Sequence, residues 1–120
     1  MKKHSPFIAL CATLIFASCS KTTVNNDPVI GIWTSTVENN SVNQKTIKTE
    51  SEWIFNDAYL GRYHQYENKD LTVQTDFSWK HEDDQYIISY PGTDFPDDIV
   101  TLVQTTLQES DGDILATREQ

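Results

Sequence analysis

From about residue 29 onward, apolar and polar side chains alternate with a period of two, which is typical of β-strands with one buried face. In the clearest stretch, Leu71, Val73, Phe77 and Trp79 share one face. Similar runs, rich in Thr, Val, Ile and aromatic residues, indicate further strands. These runs are Ile30–Val37, Ser51–Phe55, Tyr59–Tyr66, Gln85–Tyr90, Ile99–Leu107 and Ile114–Arg118. Together with Leu71–Trp79, they predict seven strands.

Short polar segments separate these runs and predict tight turns between antiparallel neighbours. The predicted turns are Asn56-Asp57, Glu67–Asp70, His81–Asp84, Pro91–Pro96 and Ser110–Gly112. The segment Asp97–Gln108 leaves two alternatives open, because its apolar residues also come close to helical spacing. Its Thr and Val content favours a strand.

An antiparallel sheet of this size must hide one face from water. About 90 residues achieve this best when the sheet curls into a barrel or a tightly bent half-barrel, which also removes exposed strand edges. A flat sheet would leave Trp33, Trp53 and Trp79 without a common core. We therefore predict an all-β fold, a small antiparallel up-and-down barrel or half-barrel.

The first residues follow a different pattern, that of an export signal. Lys2 and Lys3 precede an apolar stretch from Pro6 to Ala17, and the small residues Ala17 and Ser18 follow. The stretch has 12 residues, whereas a helix that crosses the hydrocarbon of a bilayer needs about 20. Residues 1–18 are therefore interpreted as a signal peptide.

The end of this segment, Phe16-Ala17-Ser18-Cys19, resembles the lipobox of bacterial lipoproteins. The resemblance implies cleavage before Cys19 and attachment of lipid to that cysteine. Because two or more acyl chains hold a protein stably at a membrane, the rest of the chain needs no membrane-spanning segment. Cys11 would leave with the leader, so no internal disulfide is expected.

Residues 19–28 are polar, lack apolar periodicity and end at Pro28. This composition predicts a lipidated tether, followed by a β domain over residues 29–120. The chain has 9 basic and 18 acidic residues, and two lysines leave with the predicted leader. Such an acidic surface repels phosphate backbones, so we expect no nucleic-acid partner.

The motif Gly31-Ile32-Trp33 opens the first predicted strand, and Gly-x-Trp at this place resembles the opening motif of lipocalins. Small lipocalin-like bacterial lipoproteins of the Bacteroidetes type share it. The segment Trp53–Asp57 followed by Tyr63 is similar to their second hairpin, and Phe77–Trp79 before Tyr86–Ile88 is similar to the next one. The resemblance covers about Val29 to Glu119 and implies a lipocalin-like barrel.

Arg118, near the end of the last predicted strand, resembles the basic residue that lipocalins place across the first-strand tryptophan. A guanidinium above an indole ring is also favourable on physical grounds. We therefore predict that the Arg118 guanidinium lies within about 6 Å of the Trp33 ring. Gly31, Trp33 and Arg118 are expected to have structural roles.

The sequence offers little for catalysis or metal binding. It has no Gly-x-Ser-x-Gly elbow and no phosphate-binding glycine loop, and Cys19 is assigned to lipid. His81–Asp84 is interpreted as a solvated turn, and neither Asp94–Asp98 nor Asp111–Asp113 has EF-hand spacing. We expect no enzymatic activity, no metal site and no cofactor.

Two functional hypotheses follow. In the first, the barrel binds a small apolar or amphipathic molecule at its open end, with Trp53, Phe55, Phe77, Trp79 and Tyr90 as the contact residues. In the second, a barrel filled by its own side chains is an accessory subunit that presents acidic loops to another envelope protein. A cavity above about 300 Å³ favours the first. Both place the protein in the cell envelope, with the periplasmic face of the outer membrane favoured over the cell surface.

Overall fold

A computed structural model describes residues 24–40 and 46–119. This part of the chain is all-β, and its strands form one closed antiparallel barrel. Each strand pairs with the next along the chain, and the last pairs back with the first through Trp33–Arg118 and Thr34–Thr117. The predicted fold class is confirmed, and the barrel is closed rather than a half-barrel.

The barrel has eight strands in the described part of the chain, one more than the sequence predicted. They are β1 (Gly31–Asn40), β2 (Thr46–Phe55), β3 (Leu60–Glu67), β4 (Asp70–Glu82), β5 (Gln85–Ser89), β6 (Asp98–Val103), β7 (Thr106–Glu109) and β8 (Ile114–Arg118). The predicted single strand Ile99–Leu107 is wrong, because the chain turns back at Gln104 and Thr105. Gln104 adopts φ of 57°, a left-handed conformation that its side chain does not signal.

The strands differ in length around the barrel. β1 to β4 have eight to thirteen residues, whereas β5 to β8 have four to six. We call the end where β1 begins the closed end; the β2–β3, β4–β5 and β6–β7 turns lie there. We call the opposite end the mouth; the β5–β6 and β7–β8 loops lie there.

The core collects one face of nearly every strand, as the alternation predicts. Its large aromatic members come mainly from β1, β2 and β4, and Trp33, Trp53 and Trp79 are all buried in it. The buried residues are Val29, Trp33, Trp53, Phe55, Phe77, Trp79, Tyr86, Ile88, Tyr90, Val100, Leu107 and Ala116. The interior toward the closed end is therefore filled by side chains.

Arg118 and Trp33 close one end of the barrel together. The guanidinium carbon of Arg118 lies 4.3 Å from the centroid of the Trp33 ring, within the predicted distance. Arg118 also donates to the carbonyls of Ile30 and Pro28. The Trp33 indole donates to the carbonyl of Val29 at 2.8 Å. A Cβ on Gly31, where φ is +138°, would lie 2.8 Å from Arg118 Nη1, so glycine leaves room for the guanidinium.

A second glycine explains how large rings fit inside so narrow a barrel. A Cβ on Gly61 would lie 2.1 Å from Cζ of Phe77 and 2.3 Å from the carbonyl oxygen of Ile54. The Phe77 ring occupies the space that a side chain would otherwise need, and it meets the Phe55 ring edge-on at 4.9 Å. Close approach therefore requires glycine at this position.

The predicted signal peptide at residues 1–18, Cys19 and the start of the tether lie outside the described residues. Residues 24–28, which the sequence assigned to the tether, contact the closed end. Asn25 donates to the carbonyl of Asp57 at 3.2 Å, and Asp27 accepts from side chains of β4 and β5. In the ranges that the structure describes, no helix has the length and apolarity needed to cross a bilayer.

Candidate functional site

A cavity of about 310 Å³ opens to solvent at the mouth of the barrel. Its lining combines aromatic rings, two aliphatic residues, an amide and a carboxylate. The lining residues are Trp53, Tyr63, Gln65, Tyr90, Phe95, Pro96, Asp98 and Leu115. Apolar walls with a few convergent polar groups are the usual composition of a small-molecule site.

Strands β2 and β3 supply one wall of the cavity. Trp53 and Tyr63 are direct cross-strand partners, and their ring centroids lie 5.0 Å apart. Gln65, two residues after Tyr63, faces the same side of β3 because side chains alternate along a strand. A register shift between Gln65 and Tyr66 follows, so the regular ladder is interrupted next to the cavity.

The loop between β5 and β6 supplies the opposite wall. Thr93 donates through its hydroxyl to the carbonyl of Tyr90 at 2.7 Å and accepts from the backbone N–H of Phe95 at 3.1 Å. This local turn places the Phe95 ring edge-on to the Tyr90 ring, with centroids 5.8 Å apart. Tyr90 is buried, whereas Phe95 is 43% exposed, so Phe95 forms the outer part of this wall.

A hydrogen-bonded relay crosses the inner part of the cavity. The Trp53 indole donates to the Tyr90 hydroxyl at 2.9 Å, and that hydroxyl donates to Asp98 Oδ2 at 2.5 Å. Burial raises the pKa of Asp98, the bond from Tyr90 offsets part of that rise, and the nearby charge of Asp97 adds to it. Burial and the bond to Asp98 likewise raise the pKa of Tyr90.

A second polar contact lies on the β2–β3 wall. The Tyr63 hydroxyl donates to Gln65 Oε1 at 3.2 Å and lies 3.2 Å from the Ser51 hydroxyl. Burial raises the pKa of Tyr63, the bond with Ser51 lowers it in part, and the charge of Asp98 raises it. Both tyrosines therefore stay neutral at physiological pH and act as hydrogen-bonding groups.

The rim next to the cavity is acidic. Burial raises the pKa of Glu109, and the charges of Asp111, Asp98 and Asp113 raise it further. Of the ion pairs within residues 24–40 and 46–119, none involves these four carboxylates. Among the residues that the structure describes, these carboxylates therefore form no direct ion pair with a basic side chain.

The structure separates the five contact residues that the sequence predicted. Trp53 and Tyr90 line the cavity. Phe55, Phe77 and Trp79 lie in the core, nearer the closed end than the cavity, with 2%, 0% and 3% of their surface exposed. We therefore reassign these three to the core.

Sequence reasoning missed the lining residues Gln65, Phe95 and Asp98, and it left Tyr63 out of the five contact residues although it is one of the strand aromatics that could line a pocket. Asp98 was considered only as part of the acidic run Asp94–Asp98, which lacks EF-hand spacing. Strand alternation could have identified Gln65, since it shares a face with Tyr63. No local signal distinguishes Asp98 from its solvated neighbours.

A wider depression of about 560 Å³ lies on the outer face of β2, β3 and β4. Arg62 and Asp76 border it and form an exposed ion pair with 3.0 Å between Nε and Oδ1. The depression lies on the solvent side of the sheet. Arg62 and Asp76 bond to each other, whereas His64 contacts Glu52 and Asn56 accepts from backbone N–H groups, so the polar groups do not converge on a common point. The mouth cavity is smaller, but it is the better candidate site.

A second carboxylate–tyrosine pair lies at the closed end. Asp27 accepts from the Tyr86 hydroxyl at 2.5 Å and from the backbone N–H of Val29 at 2.9 Å, and its Oδ2 lies 2.8 Å from His81 Nδ1. The His81 ring stacks on Tyr86 with centroids 4.1 Å apart. Burial would raise the pKa of Asp27, but the bonds from Tyr86, Val29 and His81 and the charge of His81 outweigh it and lower that pKa.

The Asp27 cluster fastens the segment before β1 to the barrel. Both carboxylate oxygens of Asp27 accept hydrogen bonds within this cluster, so neither is left open to a ligand. His81 lies at the end of β4 rather than in a turn, and its partner Asp27 is 54 residues away in the sequence. We interpret this cluster as structural.

Within the described ranges, no three His, Cys, Asp or Glu side chains are grouped so that they could hold a metal ion. No protein-family model, curated protein or solved structure matches this chain.

Proposed function

We propose that this protein is a lipid-anchored envelope protein whose barrel binds a small apolar or amphipathic molecule in its mouth, without catalysis. The observation that carries the proposal is the contrast within one interior. Side chains fill the barrel toward the closed end, whereas at the mouth aromatic rings and hydrogen-bonding groups surround a cavity of about 310 Å³. A cavity of this size is at the lower limit for small-molecule sites.

The architecture supports a lipocalin-like assignment. Eight antiparallel strands closed in sequential order form the same kind of barrel as lipocalins, which bind small ligands in the barrel mouth. The Trp33–Arg118 contact at the closed end agrees with the motif-based resemblance. In this smaller barrel, the core rings leave only the mouth for a ligand.

The anchor rests on the lipobox-like segment before Cys19. Lipid there would tie the chain to the outer membrane, with the barrel in the periplasm and the closed end nearest the tether. In cells that make the protein, we expect fractionation to find the wild type with membranes and the Cys19→Ala variant, exported with a cleavable leader, in the soluble periplasmic fraction. Full membrane partitioning of that variant would exclude the lipid anchor.

Ligand binding can be tested with N-phenyl-1-naphthylamine, a neutral apolar fluorophore that brightens when it leaves water. We expect the purified protein to bind the dye. Gln65→Phe, which fills the cavity, should abolish binding, whereas Gln74→Phe on the exposed face of β4 should not change it. Equal dye binding by both variants would contradict a site in the mouth.

The competing hypothesis is a protein-binding accessory subunit. Affinity purification from the native envelope distinguishes the two. A stoichiometric protein partner that is retained by Gln65→Phe, with no small molecule bound to either form, would favour the accessory subunit and overturn the binding proposal.

A further inference from the structure

On the polar side of the mouth cavity, the carboxylate of Asp98 has acceptor positions without a hydrogen-bond donor from the described residues. Asp98 is partly buried at the start of β6, and within the described residues its side chain accepts from Tyr90. An ionised carboxylate has about four acceptor positions on its two oxygens. Oδ1 has no donor among residues 24–40 and 46–119, although the cavity borders the side chain. A ligand that donates hydrogen bonds would complete this set.

Four aromatic rings surround the same space. Around the cavity, the centroid distances are 5.0 Å for Trp53–Tyr63, 5.9 Å for Tyr63–Tyr90 and 5.8 Å for Tyr90–Phe95. The successive rings are inclined by 48°, 69° and 85°, so they do not stack flat on one another. Ring faces attract cations electrostatically, most strongly when the cation is shielded from water.

Charge around the mouth acts in the same direction. The charges of Asp111, Asp98 and Asp113 add to the effect of burial and raise the pKa of Glu109, and the charge of Asp97 acts on Asp98. The full chain has 18 acidic against 9 basic residues. Such a surface attracts cations and repels anions before contact.

We infer that the mouth selects a protonated amine on a short apolar chain, with the ammonium held by Asp98 and Gln65 among the rings of Trp53, Tyr63 and Phe95. This inference rests on the proposed function and names its ligand class. The ammonium N–H groups donate to the free Asp98 oxygen and to Gln65 Oε1. The apolar chain occupies the cavity toward Leu115 and Pro96.

Four compounds with the same six-carbon chain test this inference on the wild-type protein at pH 7: hexylammonium, hexyltrimethylammonium, hexan-1-ol and hexanoate. The readout is the chemical shift of each tryptophan indole N–H. Trp53 lines the cavity, whereas the Trp33 indole is bonded at the closed end and serves as an internal reference. Each signal is assigned from the corresponding Trp→Phe variant.

We expect hexylammonium to move the Trp53 signal and leave Trp33 unchanged. It should bind at least about tenfold more tightly than hexan-1-ol, because the alcohol has no charge to interact with the rings and Asp98. Hexyltrimethylammonium should bind more weakly than hexylammonium, since it has no N–H to donate. Hexanoate should be the weakest of the four.

The matched variants are Asp98→Asn and Asp76→Asn, which make the same change in the mouth and on the outer face. Asp98→Asn should weaken hexylammonium about tenfold and leave hexan-1-ol within about twofold. Asp76→Asn should change neither. The ligand series on the wild type gives an answer even if Asp98→Asn does not fold.

The outcomes separate this inference from the proposed function. Equal binding of hexylammonium and hexan-1-ol at Trp53, or a full response of Asp98→Asn to hexylammonium, overturns the amine preference and leaves a binding mouth in place. A shift of Trp33 with no shift of Trp53 also overturns it. If neither these compounds nor N-phenyl-1-naphthylamine affects Trp53, both proposals fail.

Discussion

Each end of the barrel has a partly buried aspartate that accepts a hydrogen bond of 2.5 Å from a tyrosine. At the closed end Tyr86 of β5 donates to Asp27, and at the mouth Tyr90, directly after β5, donates to Asp98. At the closed end Asp27 also accepts from the backbone N–H of Val29 and contacts His81, and its pKa is lowered. At the mouth Asp98 accepts from Tyr90, and burial, together with the charge of Asp97, raises the pKa of Asp98. The same pair of groups has opposite electrostatic surroundings.

We interpret the Asp27 contact as structural and propose that Asp98 is available to a ligand. Asp27 is satisfied by its own chain, so its interactions stabilise the fold. Asp98 carries an electrostatic cost in the folded protein, and a ligand that donates or brings positive charge would remove part of it. The comparison predicts that changes at the closed end mainly affect stability and that changes at the mouth mainly affect binding.

The largest contrast is expected between two phenylalanines. Phe77→Ala removes a fully buried ring against Gly61 and should lower the free energy of unfolding by about 3–5 kcal/mol. Phe95→Ala at the mouth should lower it by less than about 1 kcal/mol, because the ring is 43% exposed. Urea denaturation measures both. Equal losses would mean that the mouth loop is part of the core.

Substitution of the two aspartates should also affect the free energy of unfolding differently. Asp27→Asn keeps one oxygen that can accept from Tyr86 and Val29, but it removes the negative charge from these bonds and replaces the oxygen that faces His81 with an NH₂ group. It should lower the free energy of unfolding by about 1–2 kcal/mol at pH 7. Asp98→Asn keeps an acceptor for Tyr90 and removes a disfavoured charge, so it should leave stability unchanged or raise it. A large loss in Asp98→Asn would assign that carboxylate a structural role.

Lowering the pH should change the contributions of Asp27 and Asp98 to stability in opposite directions. The Asp27 pKa is lowered by folding, so its stabilising contribution is complete above its unfolded value, about 3.9, and is lost as pH falls through the lower folded value. The gap between wild type and Asp27→Asn in urea midpoint should narrow below about pH 4. The Asp98 pKa is raised, so its cost to folding is present at neutral pH and disappears as pH falls. A gap for Asp27→Asn that widens in acid would contradict this assignment.

The smallest contrast concerns two tryptophans of similar burial. Trp53 donates to the Tyr90 hydroxyl, whereas the buried Nε1 of Trp79 has no partner in the described part of the chain. Trp53→Phe should therefore cost about 1 kcal/mol more than Trp79→Phe, since only the first substitution breaks a hydrogen bond. Thermal unfolding of the two variants side by side gives the difference. A larger cost for Trp79→Phe would point to an unseen partner for its indole.

The fold was predictable because it depends on local patterns. Alternation placed Phe77 and Trp79 on one buried face, and three buried tryptophans required a closed interior. The turn at Gln104 was not predictable, because no Gly, Pro, Asn or Asp marks it and the left-handed φ is imposed by the neighbouring strand pairs. Sequence pattern therefore gave the barrel but undercounted its strands.

The site was less predictable, because it depends on contacts between distant residues. Asp98 and Asp27 both lie in polar segments that look solvated, and their surroundings arise only when β5 meets β6 or the segment before β1. The presence of large aromatic residues did not identify the cavity, because Phe55 and Trp79 are aromatic strand residues just as Trp53 is. What separates them is depth along the barrel, which residue type does not encode.

Native mass spectrometry of the protein purified from its own cells tests the central claim most directly, with Gln65→Phe and Gln74→Phe purified in parallel. We predict that a small molecule accompanies the wild type and Gln74→Phe and is absent from Gln65→Phe. A small molecule held equally by all three proteins, or none in any of them, would contradict a ligand site in the mouth of the barrel.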